Sequence, residues 1–206
     1  MPYIGTQPND VKKNTGLYTP SEILQLEKDG HWGGSLELIE STSFADVSVQ
    51  QFETLKENQY DVHYVTFSIT KSSNRVYMQL REAGTYETSA VYQWAYTSLY
   101  TSNSENQSRN TSNNGMKIAA TSTNHMNEGQ SSGYFYLYNA GDSTKFTNQT
   151  LHAYSISNNT PVHIVEMGGA TLPQTSVVDG FQFIMDSGSD ITGTVSIYGL
   201  KQLWVI

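Results

Sequence analysis

Apolar and polar residues alternate with a period of two along most of the chain after Gly33, which is the pattern of half-buried β-strands. The run Tyr60–Thr70 is the clearest, because Val65, Phe67 and Ile69 share one parity. Similar runs occupy 36–39, 76–81, 90–99, 116–120, 134–138, 146–154 and 162–167. We predict about eight to ten short strands with turns between them, which is typical of an all-β protein. The expected fold of 35–206 is an antiparallel, jelly-roll-like sandwich.

The stretch Asp179–Lys201 reads DGFQFIMDSGSDITGTVSIYGLK. Two apolar runs, Phe181–Met185 and Val195–Leu200, flank a segment that is rich in Gly, Ser and Asp. Because these residues favour tight turns, we predict that the stretch forms a β-hairpin near the end of the fold.

Residues 1–34 differ from the rest and predict an extended N-terminal arm followed by one short helix. Thr19 and Glu22 have the spacing of a capping box, and Pro20 suits the first helical position, so a helix is expected over Pro20–Lys28. The arm is either an unordered terminus or a segment that orders on a partner. In the second case, its docking anchors are apolar side chains: Tyr3, Ile4, Leu17, Tyr18, Ile23 and Leu26.

Two polar segments, 98–114 and 121–133, have no apolar pattern, and we predict that both are long exposed loops. The segment Phe44–Leu55 is ambiguous, because its apolar residues fit strand spacing in one part and helical spacing in another.

Composition narrows the classes of function. The chain of 206 residues contains no cysteine, so disulfides and zinc–thiolate sites are excluded. Its formal net charge of −8 argues against nucleic acid as a partner, since phosphate binding needs a basic surface. The opening MPYIGTQPNDVKK lacks the pattern of a secretory signal, and no apolar run approaches membrane-spanning length, so we expect no membrane partner.

Candidate catalytic and metal-binding chemistry is sparse. His31, His63, His125, His152 and His163 are spread widely and form no close ligand pair. The turn that contains Asp186 and Asp190 offers oxygen ligands for Ca²⁺, although an ordinary hairpin turn explains the same residues. A pair of carboxylates for glycoside hydrolysis requires proximity in space, which sequence spacing does not reveal. We expect neither enzymatic activity nor a cofactor.

Aromatic residues offer a different kind of site. Rings can stack on sugars or form subunit interfaces, and more often they form the core of a sheet. The candidates for glycan or interface contact are Tyr92, Trp94, Tyr96 and Tyr100, together with Tyr134, Tyr136 and Tyr138.

Two stretches carry a resemblance to a known group. The start MPYIG and the stretch Asp179–Lys201, of the form GFxFxxxSG…xxGxxxxYGL, resemble tailed-bacteriophage virion proteins of marine and cyanobacterial phages, of the tail-fibre, appendage or decoration type. The resemblance implies a virion component with a jelly-roll-like domain, usually a homotrimer, whose partners are its own copies and other virion proteins.

Three hypotheses follow. The first is a non-enzymatic tail-fibre or appendage subunit that docks through residues 1–34 and displays its β-domain, including for contact with host-surface glycans. The second is a capsid decoration protein that stabilises the phage head. The third is a glycan depolymerase, which predicts a pocket with two facing carboxylates.

Overall fold

A computed structural model describes residues 19–28, 36–71, 75–119, 129–156, 163–185 and 190–200. The chain divides into two units, Met1–Ser35 and Leu36–Ile206, so the division falls one residue beyond the predicted one. The predicted extended arm lies outside the described residues, and so do four of its proposed anchors: Tyr3, Ile4, Leu17 and Tyr18.

In the first unit, the described element is the helix α1 (Pro20–Lys28), as its sequence predicts. Its capping box is formed, because the Thr19 amide donates to the Glu22 carboxylate at 2.6 Å and the Glu22 amide donates to Thr19 Oγ1 at 3.2 Å. The Thr19 hydroxyl also donates to the Glu22 carboxylate, at 2.7 Å. The hydrogen bonds from the Thr19 amide and the Thr19 hydroxyl to this carboxylate lower the pKa of Glu22.

The described part of the second unit contains thirteen strands. They are β1 (Leu36–Val47), β2 (Val49–Phe52), β3 (Val62–Lys71), β4 (Val76–Glu82), β5 (Thr85–Tyr86), β6 (Tyr92–Tyr100), β7 (Ser104–Asn113), β8 (Met116–Ala119), β9 (Gly129–Tyr138), β10 (Phe146–Ile156), β11 (His163–Thr175), β12 (Val178–Met185) and β13 (Ile191–Leu200). Neighbouring strands pair antiparallel in two sheets, which confirms the predicted all-β sandwich. Phe44–Leu55 resolves into the end of β1, then β2, and then a loop.

The strand order is that of a jelly roll with added strands. One sheet runs β1-β13-β3-β9-β10-β11-β6-β7, and the other runs β2-β12-β4-β5, with β8 also paired to β4. Eight of the strands form the pairs β1–β13, β2–β12, β3–β9 and β4–β8, in which the first strand meets the eighth and the second meets the seventh. This nested pairing is what results when one long antiparallel ribbon is rolled up into two sheets.

The five other strands enlarge that framework. Strands β5, β6 and β7 are inserted between β4 and β8, and β10 and β11 are inserted between β9 and β12. Four of these strands continue the larger sheet beyond β9 in the order β10-β11-β6-β7. The insertions therefore widen one sheet from four strands to eight and give it a broad outer face, meaning the face turned away from the core.

The core lies between the two sheets and consists of the inward parity of their strands. Phe52, Phe135, Phe181 and Phe183 are at most 1% exposed, and their rings pack at centroid distances of 4.8–6.5 Å. Such offset and edge-to-face arrangements of aromatic rings add to the free energy gained by burial.

Three sequence predictions are wrong in an informative way. The stretch Asp179–Lys201 is not a hairpin, because β12 belongs to the smaller sheet and β13 to the larger one. The consecutive strands β3 and β4 likewise lie in different sheets. The predicted loop 98–114 contains β7, which pairs with β6 as an edge strand, and 121–133 overlaps the start of β9.

Candidate functional site

Three of the seven aromatic residues predicted to contact a glycan or an interface are core residues. Tyr92, Trp94 and Tyr96 alternate along β6 and are 0%, 7% and 3% exposed, whereas Tyr100 is half-buried. The Tyr92 hydroxyl accepts from the Leu80 amide at 2.8 Å and donates to a backbone oxygen at 3.0 Å. Burial raises the pKa of the Tyr92 and Tyr96 hydroxyls above the ordinary value for tyrosine. The proposed contact role is therefore corrected for these three rings.

The other predicted site residues lie on α1, next to β13 or outside the described residues. Ile23 is half-buried on α1, and Leu26 lies on the same helix with its side chain outside the described part. Asp190 is exposed at the start of β13, and Asp186 lies outside the described residues. Among the residues that the structure describes, no cluster of three or more His, Asp or Glu side chains is arranged to hold a metal ion.

His63 is a buried histidine with a structural contact. Its Nε2 lies 2.7 Å from the Leu55 carbonyl oxygen, so Nε2 carries the hydrogen and donates it. Its Nδ1 is buried and has no hydrogen-bond partner, and desolvation lowers the pKa of the ring. Burial therefore favours the neutral form of the His63 ring. His152 and His163 lie on the outer face of the larger sheet instead, beside Tyr134 and Tyr154.

The outer face of the larger sheet carries a continuous group of tyrosines. Because successive side chains alternate across a strand, the parity that buries Phe135 and Leu137 turns the tyrosines of β9 outward. Strand register then aligns outward residues of neighbouring strands in one row. We call the following four residues the tyrosine row: Leu38, Tyr198, Tyr64 and Tyr136.

The rings on this face are close enough to support one another. Tyr64 lies at the centre, with ring centroids 5.1 Å from Tyr136, 5.6 Å from Tyr134 and 6.1 Å from Tyr198. Partial burial, and then these neighbouring hydroxyls, raise the pKa of Tyr64. Tyr134 is 37% exposed and Leu38 is 53% exposed, so the group is accessible. Contiguous exposed aromatic surface of this kind marks contact sites.

The same register row continues across the inserted strands and changes character. Beyond Tyr136 it passes through Thr150, Gly169 and Ala95 and ends at Arg109 on β7. Small side chains therefore follow the large rings, and the sheet surface drops into a depression with an arginine at its far side.

A second concentration of polar groups lies inside the sandwich. Lys117 on β8 pairs with Glu166 on β11, and their side chains are 4% and 0% exposed. Ser98 donates to the same Glu166 oxygen at 2.9 Å, and the lysine nitrogen lies 5.9 and 5.6 Å from the ring centroids of Trp94 and Tyr96. The cluster joins β8 to the inserted strands β6 and β11. Because it is enclosed, it offers no surface to a ligand.

The sequence indicated some residues of the accessible surface and not others. The outward parity of Tyr134, Tyr136 and Tyr138 could be inferred from the alternation in β9, and these rings were candidates. The contributions of Tyr64 and Tyr198 could not, because they depend on the pairing of β3 with β9 and β13. Arg109 lies in a segment that reads as a loop, so no local pattern marks it.

Comparisons with protein-family models, with curated proteins and with solved structures find no match to this chain. In the described residues, the one helix has nine residues, and no helix is long and apolar enough to span a membrane.

Proposed function

We propose that this chain is a non-enzymatic structural subunit of a tailed-bacteriophage virion, of the tail-fibre or appendage type. In this proposal the N-terminal arm docks the subunit on its own copies and on other virion proteins, and the β-domain makes further contacts through its outer face. The observation that supports it best is the tyrosine row, a continuous aromatic surface on the solvent side of a jelly-roll sandwich. Jelly rolls recur in viral capsid and lectin domains, so by analogy the fold suits a virion subunit.

Labelling of purified phage particles tests this proposal. An antibody fragment raised against the β-domain is expected to decorate the tail or its appendages in electron micrographs, in a copy number that is a small multiple of the tail symmetry. Light scattering of the purified chain is expected to give the mass of a trimer. Particles that carry no copy of the chain would contradict the proposal.

A capsid decoration protein is the second candidate, and one observation favours it. Tyr64, Tyr136 and Tyr198 are half-buried within their own cluster, and rigid aromatic surfaces of this kind suit permanent contacts between proteins. The same labelling experiment separates the two roles. Decoration predicts label spread over the whole capsid, with copies that follow the number of capsomers.

A further inference from the structure

The depression on the outer face consists of two adjoining parts with volumes of about 490 and 570 Å³. The first is lined by Gln93, Ala95, Arg109, Asn148, Gly169 and Thr171. The second is lined by Ala95, Thr97, Gln107, Arg109 and Met167. Ala95 and Arg109 belong to both parts, so we treat them as one site and call it the trough. Each part alone has a volume within the usual range for small-ligand sites.

The trough exists because of where small residues fall in the register. Gly169 on β11 and Ala95 on β6 are paired neighbours beside the edge strand β7, and both face outward. Larger residues surround them in the next rows, such as Gln93 and Thr171 on one side and Met167 on the other. Strand alternation thus removes side-chain volume at the floor and keeps it at the walls.

The lining has the chemistry of a saccharide site with one positive charge. Amide and hydroxyl groups of Gln93, Gln107, Asn148 and Thr171 offer both donors and acceptors, as sugar hydroxyls require. No acidic side chain lines either part of the trough within the described residues. Arg109 makes no ion pair with any described residue. Its planar guanidinium is therefore available for bidentate binding of a carboxylate.

The trough also continues the tyrosine row. From Tyr136 to Arg109 the register row crosses four strand intervals, a span of roughly 19 Å at the usual spacing of strands in a sheet. An oligosaccharide of several rings laid along this row places one ring against Tyr136 and another over Gly169 and Ala95. A substituent at the far end then reaches Arg109. Aromatic rings stack on the apolar faces of sugars, and the remaining lining groups fix their orientation.

We infer that the outer face binds a uronate-bearing oligosaccharide, with its sugar rings along Tyr136, Gly169 and Ala95 and a carboxylate on Arg109. This inference rests on the proposed contact function of the outer face and names its ligand. The carboxylate selects Arg109, because a neutral sugar gains nothing from a guanidinium beyond an ordinary hydrogen bond.

The first experiment uses the full-length chain on an array of oligosaccharides that contain galacturonate, glucuronate or mannuronate, printed beside neutral hexose oligomers of equal length. The affinity of the chain for the oligosaccharide that binds is then measured by calorimetry. It is measured for the free acid and for its methyl ester, which keeps the shape of the ligand and removes its charge. The acid is expected to bind about 10- to 100-fold more tightly than the ester, as for a hydrogen bond to a charged group.

Variants assign this preference to the site. In Arg109→Gln, the ratio of acid to ester affinity is expected to fall to about one, and Arg109→Lys is expected to retain part of it because its charge is not a planar fork. Tyr136→Ala should weaken the acid and the ester equally, by about tenfold. Ala95→Trp fills the floor of the trough and should abolish binding. Its control is Ser43→Trp, an exposed position of β1 on the same face.

Three results would overturn the inference: no binding to any uronate on the array, an acid-to-ester ratio that Arg109→Gln leaves unchanged, or full binding by Ala95→Trp. Should Ala95→Trp fail to fold, the acid-to-ester comparison in Arg109→Gln still decides. Particle labelling judges the proposed function separately. Label on the particle without uronate binding refutes this inference alone, whereas uronate binding by a chain absent from particles refutes the virion proposal alone.

Discussion

Replacing Glu166 by glutamine leaves the Lys117 ammonium inside the sandwich without its carboxylate partner. The two side chains are 0% and 4% exposed, so water does not compensate for the loss. Removing one partner of a buried ion pair typically costs about 3–5 kcal/mol, because the remaining charge stays desolvated. For a domain of this size we expect the midpoint of thermal unfolding to fall by roughly 6–20 °C. Lys117→Met should cost a similar amount, since it leaves the buried Glu166 carboxylate without its cation and with a hydrogen bond from the Ser98 hydroxyl.

The double variant Lys117→Met/Glu166→Gln separates pairing from packing. Removing both charges also removes the penalty for an isolated charge, so the double variant should cost less than the sum of the single variants by at least about 2 kcal/mol. Urea unfolding followed by circular dichroism measures all three, with the exposed Lys145→Met as the control that leaves the midpoint unchanged. Single variants that each cost under about 1 kcal/mol would refute this reasoning, because exposed pairs behave in that way.

Further predictions concern a titrating group, a close approach and a corrected site residue. Burial lowers the pKa of His63 in the native chain from the ordinary histidine value of 6.5. As the pH falls below 6.5, the unfolded chain therefore binds a proton that the native chain does not. The free energy of unfolding should consequently fall by up to about 1.4 kcal/mol per pH unit on acidification. His63→Gln should remove this slope. Gly168→Ala should cost about 1–3 kcal/mol, because the added carbon would meet Tyr96 at 2.2 Å, whereas Gly169→Ala should cost under about 1 kcal/mol. Tyr92→Phe should cost about 2 kcal/mol in urea unfolding and leave glycan binding unchanged.

Each of these predictions has its own control. Exposed His152→Gln should keep the acid slope, and an unchanged slope in His63→Gln would contradict the assignment. Equal losses in Gly168→Ala and Gly169→Ala would show that the backbone relaxes at the tight contact. Lower glycan affinity in a fully folded Tyr92→Phe would restore that ring to the binding surface.

Local sequence predicted what local interactions determine. The capping box placed α1, since Thr19 and Glu22 satisfy each other within one turn of the chain. The alternating run 90–99 likewise predicted β6, because alternation is a property of one strand. What failed was the assignment of β12 and β13 to one hairpin. Gly- and Ser-rich connections serve tight hairpins and corners between sheets alike, and only the long-range pairs with β2 and β3 distinguish them.

The candidate site was less predictable than the fold for the same reason. The row from Leu38 to Arg109 joins residues from eight strands, and each step depends on a register that no local pattern states. β7 is an edge strand of the widened sheet, it is polar throughout, and none of its residues is buried. A strand with no buried face has no hydrophobic alternation, so its sequence is that of a loop.

The buried ion pair and the trough belong to the same strands and face opposite sides of them. Glu166 lies three residues from Gly169 on β11, and Ser98 lies three residues from Ala95 on β6, so the strands that form the floor of the trough are held from inside by the Lys117 cluster. The inserted strands β10, β11, β6 and β7 continue the larger sheet beyond β9. β8 contacts β6, β10 and β11 on the core side of that sheet. Removing one partner of the Lys117–Glu166 pair leaves an uncompensated buried charge, so we expect the pair to disfavour registers of β8 that would separate the two side chains. The strands that carry the trough are thus joined to β8 by a contact that no ligand touches.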